Sequence, residues 1–220
     1  VADAKYNLYS DFRKKELLAD TVYVVDNLGH LKNLKYLLKD QNVGFFYRDD
    51  IWAMVANEKG RMSQKDIKLF NEVELSLLEI NKKYNFNFKK KDDFNGFGWS
   101  HNSGKPGIWS EGEISTLLFR TDKKYEKLKL GLNFIPYLPK KIGILEFEIF
   151  INDALIKQVK LTNKKLEQNV EIIINKEFIE SNEIKIDFKF KNLVSPYAIL
   201  ESPDSRKLGI LLNDIIINPA

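Results

Sequence analysis

Cysteine is absent from the 220 residues, so a disulfide framework, a thiolate metal site and a cysteine nucleophile are all excluded. No run approaches the roughly 20 apolar residues of a membrane span, and no basic, apolar and small-residue leader opens the chain. There are only two histidines, and without thiolates a zinc site would need carboxylates at a spacing that does not occur. An excess of one charge is also missing. The 35 basic and 31 acidic residues leave +4, spread along the chain with no basic stripe to follow a phosphate backbone. No nucleic-acid partner, metal or cofactor is therefore expected. The longest basic run, Lys89-Lys90-Lys91, is followed at once by Asp92-Asp93, as in a solvated linker.

What the chain does have is 44% hydrophobic and 12% aromatic residues, enough core for one large domain or two small ones. It begins at Val1 rather than methionine, and reads as a piece of something longer. Ser10 or Asp11 caps a helical pattern that runs to Ala19. Thr21 to Val25 is a β-branched and aromatic strand, and Leu28, Leu31, Leu34, Leu37 and Leu38 then repeat at helical spacing. Val43 to Tyr47 and Ile51 to Ala56 predict two more strands. Ser63 and Asp66 resemble a capping box, opening a helix whose apolar stripe is Phe70, Val73, Leu77, Ile80 and Tyr84. Asn85 to Asn95 predicts a linker.

Beyond it the period becomes two. Ile114 to Arg120, Leu128 to Ile135, Leu145 to Ile151, Leu155 to Leu161, Val170 to Ile174, Ile184 to Phe190 and Leu208 to Ile217 all predict strands with turn chemistry between them. Asn152-Asp153 is a compact hairpin signal. The expected fold class is therefore α+β: a small β-α-β-β unit plus helix over residues 1–93, followed by an antiparallel jelly-roll-like β-sandwich over residues 94–220.

Two of the three tryptophans, a histidine and several turn formers are concentrated in Phe97 to Glu111. This stretch reads as a glycine-rich turn between two short extended segments. Ser100 beside His101 does not make a hydrolase elbow, because Asn102 stands where the second glycine is needed. Glu111, Glu113, Glu146, Glu148 and Asp204 offer carboxylates, but any sandwich so charged would offer as many to a glycosidase mechanism. No residue is assigned a catalytic role. An exposed indole is a surface for a sugar ring to stack on, whereas a buried one anchors the core. Trp109 is expected in the core and Trp99 partly exposed. Arg206 and Glu111 are expected to form an ion pair tying the Trp99–Glu111 loop to the Ser195–Arg206 loop, and Glu111 and Asp204 can both accept from that guanidinium, whose fork suits the role better than lysine.

GWSHNSGKPGIWSEGEISTLLF, the Ile151-Asn152-Asp153 hairpin and SPYAILESPDSRKLGILLNDIII together resemble a β-sandwich at the C-terminus of some large bacterial membrane proteins of cell-surface polysaccharide assembly. Many of those are taken to be multi-spanning glycosyltransferases. The resemblance covers Gly96 to Ile217 and rests on Gly-Trp-Ser at Trp99 and Ser100, Trp-Ser-Glu-Gly at Trp109 to Gly112, Ser195-Pro196, and Asp-x-Arg-x-Leu-Gly from Asp204 to Gly209. Asp153 departs from the glycine usual there, which leaves the hairpin turn type open. The resemblance implies a non-catalytic accessory domain, carbohydrate-handling or scaffolding, on the extracytoplasmic (periplasmic) face of the inner membrane. Its implied partners are a glycan or lipid-linked sugar and the membrane-embedded part of the same chain. The residues offered to a glycan are Trp99, His101, Trp109, Glu111, Arg120, Asp204 and Arg206. The rival expectation is a free-standing secreted glycoside hydrolase or esterase acting on a surface polysaccharide.

Overall fold

The computed structural model describes the backbone of four strands within residues 5–56, and then residues 75–86, 94, 96, 98–101, 106–162, 167–179 and 181–220. The four early strands are β1 (Lys5–Leu8), β2 (Thr21–Val25), β3 (Val43–Arg48) and β4 (Ile51–Ala56). They form one sheet in the order β1-β2-β4-β3, with β1 parallel to β2 and the other pairings antiparallel. Three of the four follow the β-branched and aromatic runs that predict them. β1, Lys5-Tyr6-Asn7-Leu8, has no such run and forms as a partner of β2. The helices expected over residues 10–19 and 28–38, and the first part of the one from Ser63, lie outside the described residues.

The last part of that third helix falls on described residues, and there the helical expectation is corrected. The Leu78 N–H donates to the Arg120 carbonyl (2.8 Å), the Arg120 N–H donates to the Ser76 carbonyl (3.0 Å), and β5 (Lys83–Asn85) pairs antiparallel with the final strand. The apolar stripe is corrected at Leu77, which is 41% exposed where Leu75 and Leu78 are buried, whereas Ile80 and Tyr84 do pack on the core. Sheet edges present unpaired backbone groups that an extended segment can satisfy. That pairing overrides a helical period. The only helical turns among the described residues are two short 3-10 turns, Lys176–Phe178 and Tyr197–Ile199. The linker expectation is corrected at its ends too, because Phe86 and Phe94 are both core residues. The Phe94 ring meets Tyr84 edge-on at 4.9 Å and Phe119 at 6.1 Å. The sandwich thus draws in chain from upstream of residue 94.

The remaining strands are β6 (Trp99–His101), β7 (Ile108–Glu111), β8 (Ile114–Arg120), β9 (Lys127–Pro136), β10 (Ile144–Ile151), β11 (Ala154–Thr162), β12 (Gln168–Asn175), β13 (Glu183–Phe190) and β14 (Leu208–Pro219). One sheet has the order β11-β10-β13-β8, the other β12-β9-β14-β7-β6 with β5 also on β14. Every ladder in both sheets is antiparallel. From β7 to β14 the chain crosses between the sheets at each connection except the β10–β11 hairpin, which is the strand order of a jelly roll. The core between the sheets follows from strict alternation. On β9, Leu128, Leu130, Leu132 and Phe134 are fully buried, and on β10 Leu145, Phe147, Ile149 and Ile151 face them. Each such side chain contributes about 1.5 to 3 kcal/mol.

The β10–β11 hairpin resolves its own turn type. Asn152 and Asp153 have φ of 46° and 72°, so both central residues are left-handed, as in a type I′ turn. Asn and Asp tolerate that region where most side chains do not. The Asn152 side chain also ties the turn to its neighbours, accepting from the Lys185 N–H (2.8 Å) and donating to the Phe178 carbonyl (2.9 Å).

Candidate functional site

β6 and β7 pair so that Trp99 lies opposite Ser110 and Ser100 opposite Trp109. Residues directly opposite on an antiparallel ladder project to the same face, and successive residues to opposite faces. Ser110 and Ile108 are buried inward, so Trp99 turns in with them. Its ring packs on the core, 5.7 Å edge-on from Phe188, and its indole N–H donates to the Thr116 carbonyl at 2.8 Å. Trp109 and Ser100 turn out. Both tryptophans are half-buried, but their expected roles are reversed: Trp99 is the anchor and Trp109 belongs to the outer face. The reason is phase, because in strands this short one residue decides which face a side chain takes.

On that outer face Trp109 stands beside Leu211, its partner on β14, and edge-on to Tyr137 at 6.1 Å. Tyr137 is fixed at both ends. Its N–H donates to the Gly209 carbonyl (2.7 Å), and its hydroxyl donates to Glu201 (2.9 Å). Next to them, Arg206 donates through Nε and Nη2 to the Asp204 carboxylate (3.0 and 2.6 Å) and through Nη1 to the Ser100 hydroxyl (2.8 Å). Since Ser100 is paired with Trp109, the Arg206 contacts run beside the aromatic pair, and the Tyr137–Glu201 bond adds a second polar link there. A forked guanidinium on a carboxylate is among the stronger hydrogen-bonded pairs in proteins and fixes both groups in orientation.

The two irregular loops lie side by side, as expected. The contacts between them include Arg206 to Ser100 and the Gly112 N–H to the Lys207 carbonyl (3.0 Å), and Asp204, one of the two acceptors expected for this guanidinium, takes its fork. The hydrogen bonds from Arg206 hold the Asp204 carboxyl below its ordinary value. Asp204 in turn raises Arg206, with a smaller contribution from the charge on Glu111. Residues 111–114 and 205–207 line an open cleft of about 460 Å³ at this edge.

The other sequence-predicted residues fall as follows. Glu111 is at the end of β7, at the cleft. His101 is in β6 by its backbone, and its side chain is outside the described residues. Arg120 is separate. It ends β8, whose first residue Ile114 lines the cleft, so it stands roughly 20 Å away at 3.3 Å per residue. There its Nε donates to the Leu75 carbonyl (3.0 Å). Tyr137 belongs to no motif in the sequence, and Glu201 lies within the SPYAILESPDSR stretch but on none of its pattern positions. Only the pairing of β9 with β14 and the fold of the Ser195–Arg206 loop bring them in. Among the described residues no group of three histidines and acids is placed to hold a metal ion.

Burial, the bond to Glu201 and the charge of Asp204 push the Tyr137 phenol up to about 12. A phenol whose folded pKa is raised above the ordinary value of about 10 stabilises the fold fully below pH 10 and loses that contribution as pH rises toward 12. Tyrosinate absorbance of the folded protein should therefore include a late component from Tyr137, beside Tyr125, whose phenol is also raised by burial. Tyr137→Phe should shrink that late component and flatten the alkaline loss of stability. Superimposable titrations of the two proteins would disprove it.

No family model and no curated protein matches this chain. Among solved structures it is similar to a family 35 carbohydrate-binding module from an environmental isolate, at 12% identity over 63% of this chain and 97% of that one, with a TM-score of 0.37. Another is a carbohydrate-binding module, CBM36, in complex with calcium and xylotriose, at 10% identity over 62% and 99%, with a TM-score of 0.39. A third is CsCBM6-3 from Clostridium stercorarium in complex with cellobiose, at 6% identity over 66% and 98%, with a TM-score of 0.37.

Proposed function

We propose that the sandwich is a non-catalytic, carbohydrate-handling domain whose glycan lies on the Trp109–Tyr137 face. The observation that carries this reading is an aromatic pair on the solvent side of a sheet, bordered by oriented polar groups. A pyranose offers an apolar C–H face and a rim of hydroxyls. The indole and phenol suit the first, and Glu201, Asp204, Arg206 and Ser100 suit the second, an apolar floor with a few placed polar groups. Ser100 is engaged in the same border, its hydroxyl accepting from the Arg206 guanidinium.

The finer part of the proposal is that this domain serves a membrane glycosyltransferase of cell-surface glycan assembly, on the extracytoplasmic side, with a glycan or lipid-linked sugar as ligand. What supports it is the resemblance of Gly96 to Ile217 described above. Sequencing upstream of the codon for Val1 tests it directly. Several apolar spans of about 20 residues are expected, and a signal peptide alone would favour the secreted enzyme instead.

For the site, the folded protein should be retained by at least one oligosaccharide in a panel of bacterial surface glycans. Trp109→Ala should abolish that retention while lowering the melting temperature less than Trp99→Ala does. Retention unchanged in Trp109→Ala, or none by the unaltered protein across the panel, would sink the reading.

A further inference from the structure

Leu200 is 88% exposed, the most exposed large hydrophobic residue among those described. Its backbone is left-handed, at φ 61° and ψ 31°, a region that disfavours any side chain with a Cβ and that glycine occupies without strain. Strain and apolar exposure thus coincide at one residue. Neither helps the isolated domain, and strain held in place by surrounding structure tends to mark sites that act on something else.

The loop around Leu200 is held firmly. The Tyr197 N–H donates to the Asp204 carbonyl (2.8 Å), the Leu200 N–H to the Tyr197 carbonyl (3.1 Å) and the Glu201 N–H to the Pro196 carbonyl (2.9 Å). The Ser195 hydroxyl accepts from the Ala198 N–H (3.1 Å), and Lys141 Nζ donates to the Ile199 carbonyl (3.2 Å). Tyr197, on the same turn, is 64% exposed. The result is a fixed, convex finger with an aliphatic and a phenolic side chain in solvent.

The charges around it are sorted. Between Ser195 and Pro203 the one charged residue is Glu201, and its carboxylate is taken by the Tyr137 hydroxyl. Asp204, just beyond, is taken by Arg206. Lys140 and Lys141 are exposed on the adjoining turn, and Lys141 binds the finger itself. The tip side chains Tyr197 and Leu200 are uncharged, Asp204 is ion-paired with Arg206, Glu201 keeps its charge but is turned to the Tyr137 hydroxyl, and the Lys140–Lys141 flank is cationic.

We propose that this finger docks the domain on an anionic lipid bilayer. A convex tip cannot receive a peptide as a groove would. In the headgroup region Leu200 enters the acyl boundary, the Tyr197 ring sits at the interface, and the lysines face lipid phosphates. One finger gives weak, reversible binding, as single membrane signals do. This inference does not depend on the carbohydrate reading.

Co-sedimentation of the full chain with vesicles tests it. Binding is expected to vesicles of phosphatidylglycerol with phosphatidylcholine, absent on phosphatidylcholine alone, and weakened by salt. Leu200→Asp should abolish it, and Lys140→Glu combined with Lys141→Glu should reduce it several-fold. Leu200→Gly is the decisive variant. By removing the strain it should raise the melting temperature, and by removing the side chain it should lose vesicle binding while keeping any glycan binding. No sedimentation with the anionic vesicles, or equal sedimentation of Leu200→Asp, overturns the proposal.

Discussion

Replacing Trp99 by alanine should lower the stability of the sandwich by about 3 kcal/mol, the low end for a buried tryptophan because the ring is half-buried. Two losses combine. The ring leaves a void against Phe188, and the Thr116 carbonyl, on a residue with no exposed surface, loses the indole donor. For a domain of this size that corresponds to a fall in melting temperature on the order of 10 °C. The neighbouring backbone has no room to rearrange. Gly98 has φ +77°, and a Cβ there would come within 2.0 Å of the Ile114 carbonyl oxygen, so the strand cannot easily shift to refill the space. Trp109→Ala should cost clearly less. Calorimetry of the two variants decides the matter, and a larger loss for Trp109→Ala would mean that the faces of β6 and β7 are assigned the wrong way round.

Gly209→Ala should be nearly as damaging, at about 2 to 4 kcal/mol, from one added methyl group. A Cβ at this position would lie 2.6 Å from the Ser110 hydroxyl and 2.7 Å from the Phe190 ring. Both are buried. The hydroxyl cannot simply move, because it accepts from the Ile210 N–H at 2.8 Å. Overpacking of a well-packed site costs about 1 to 3 kcal/mol, and leaving a buried N–H without its acceptor costs a similar amount. The coupling can be measured. Ser110→Ala alone should destabilise through the orphaned Ile210 N–H, but combined with Gly209→Ala it should cost less than the sum, since Ser110→Ala removes the hydroxyl that the methyl added at position 209 strikes. Denaturant unfolding of the four proteins gives the cycle, and strict additivity would show that Ser110 and Gly209 do not constrain each other.

Much of the sandwich was determined by the sequence alone. β8 coincides with its expected limits, Ile114 to Arg120, and β9 to β14 depart from theirs by only a few residues. A strand buried on one face and wet on the other must alternate, and Ile184 to Phe190 follow that alternation except at Asp187, which is buried on the polar face and accepts from the Thr116 hydroxyl at 2.6 Å. The Asn152-Asp153 turn was equally legible, because few residue pairs accept two left-handed positions in succession. Tertiary structure decided the rest. The spacing of Leu77, Ile80 and Tyr84 fits a helix, yet Leu77 bridges to Arg120 and Lys83–Asn85 pairs with β14, on either side of a turn at Ile80 and Asn81, because strands of both sheets offered them partners, and partners more than 40 positions away leave no local trace. Nor could a three-residue strand announce which tryptophan faces inward. That phase is set by the ladder with β7. The polar links beside Trp109 join Tyr137 to Glu201 across 64 residues and Ser100 to Arg206 across 106. Arginine and serine in the short motifs could be picked out from the sequence, but Tyr137 and Glu201 could not. Their roles come only from contacts that close when the two sheets pack, and such contacts depend on distance in space, which the order of residues along the chain does not encode locally.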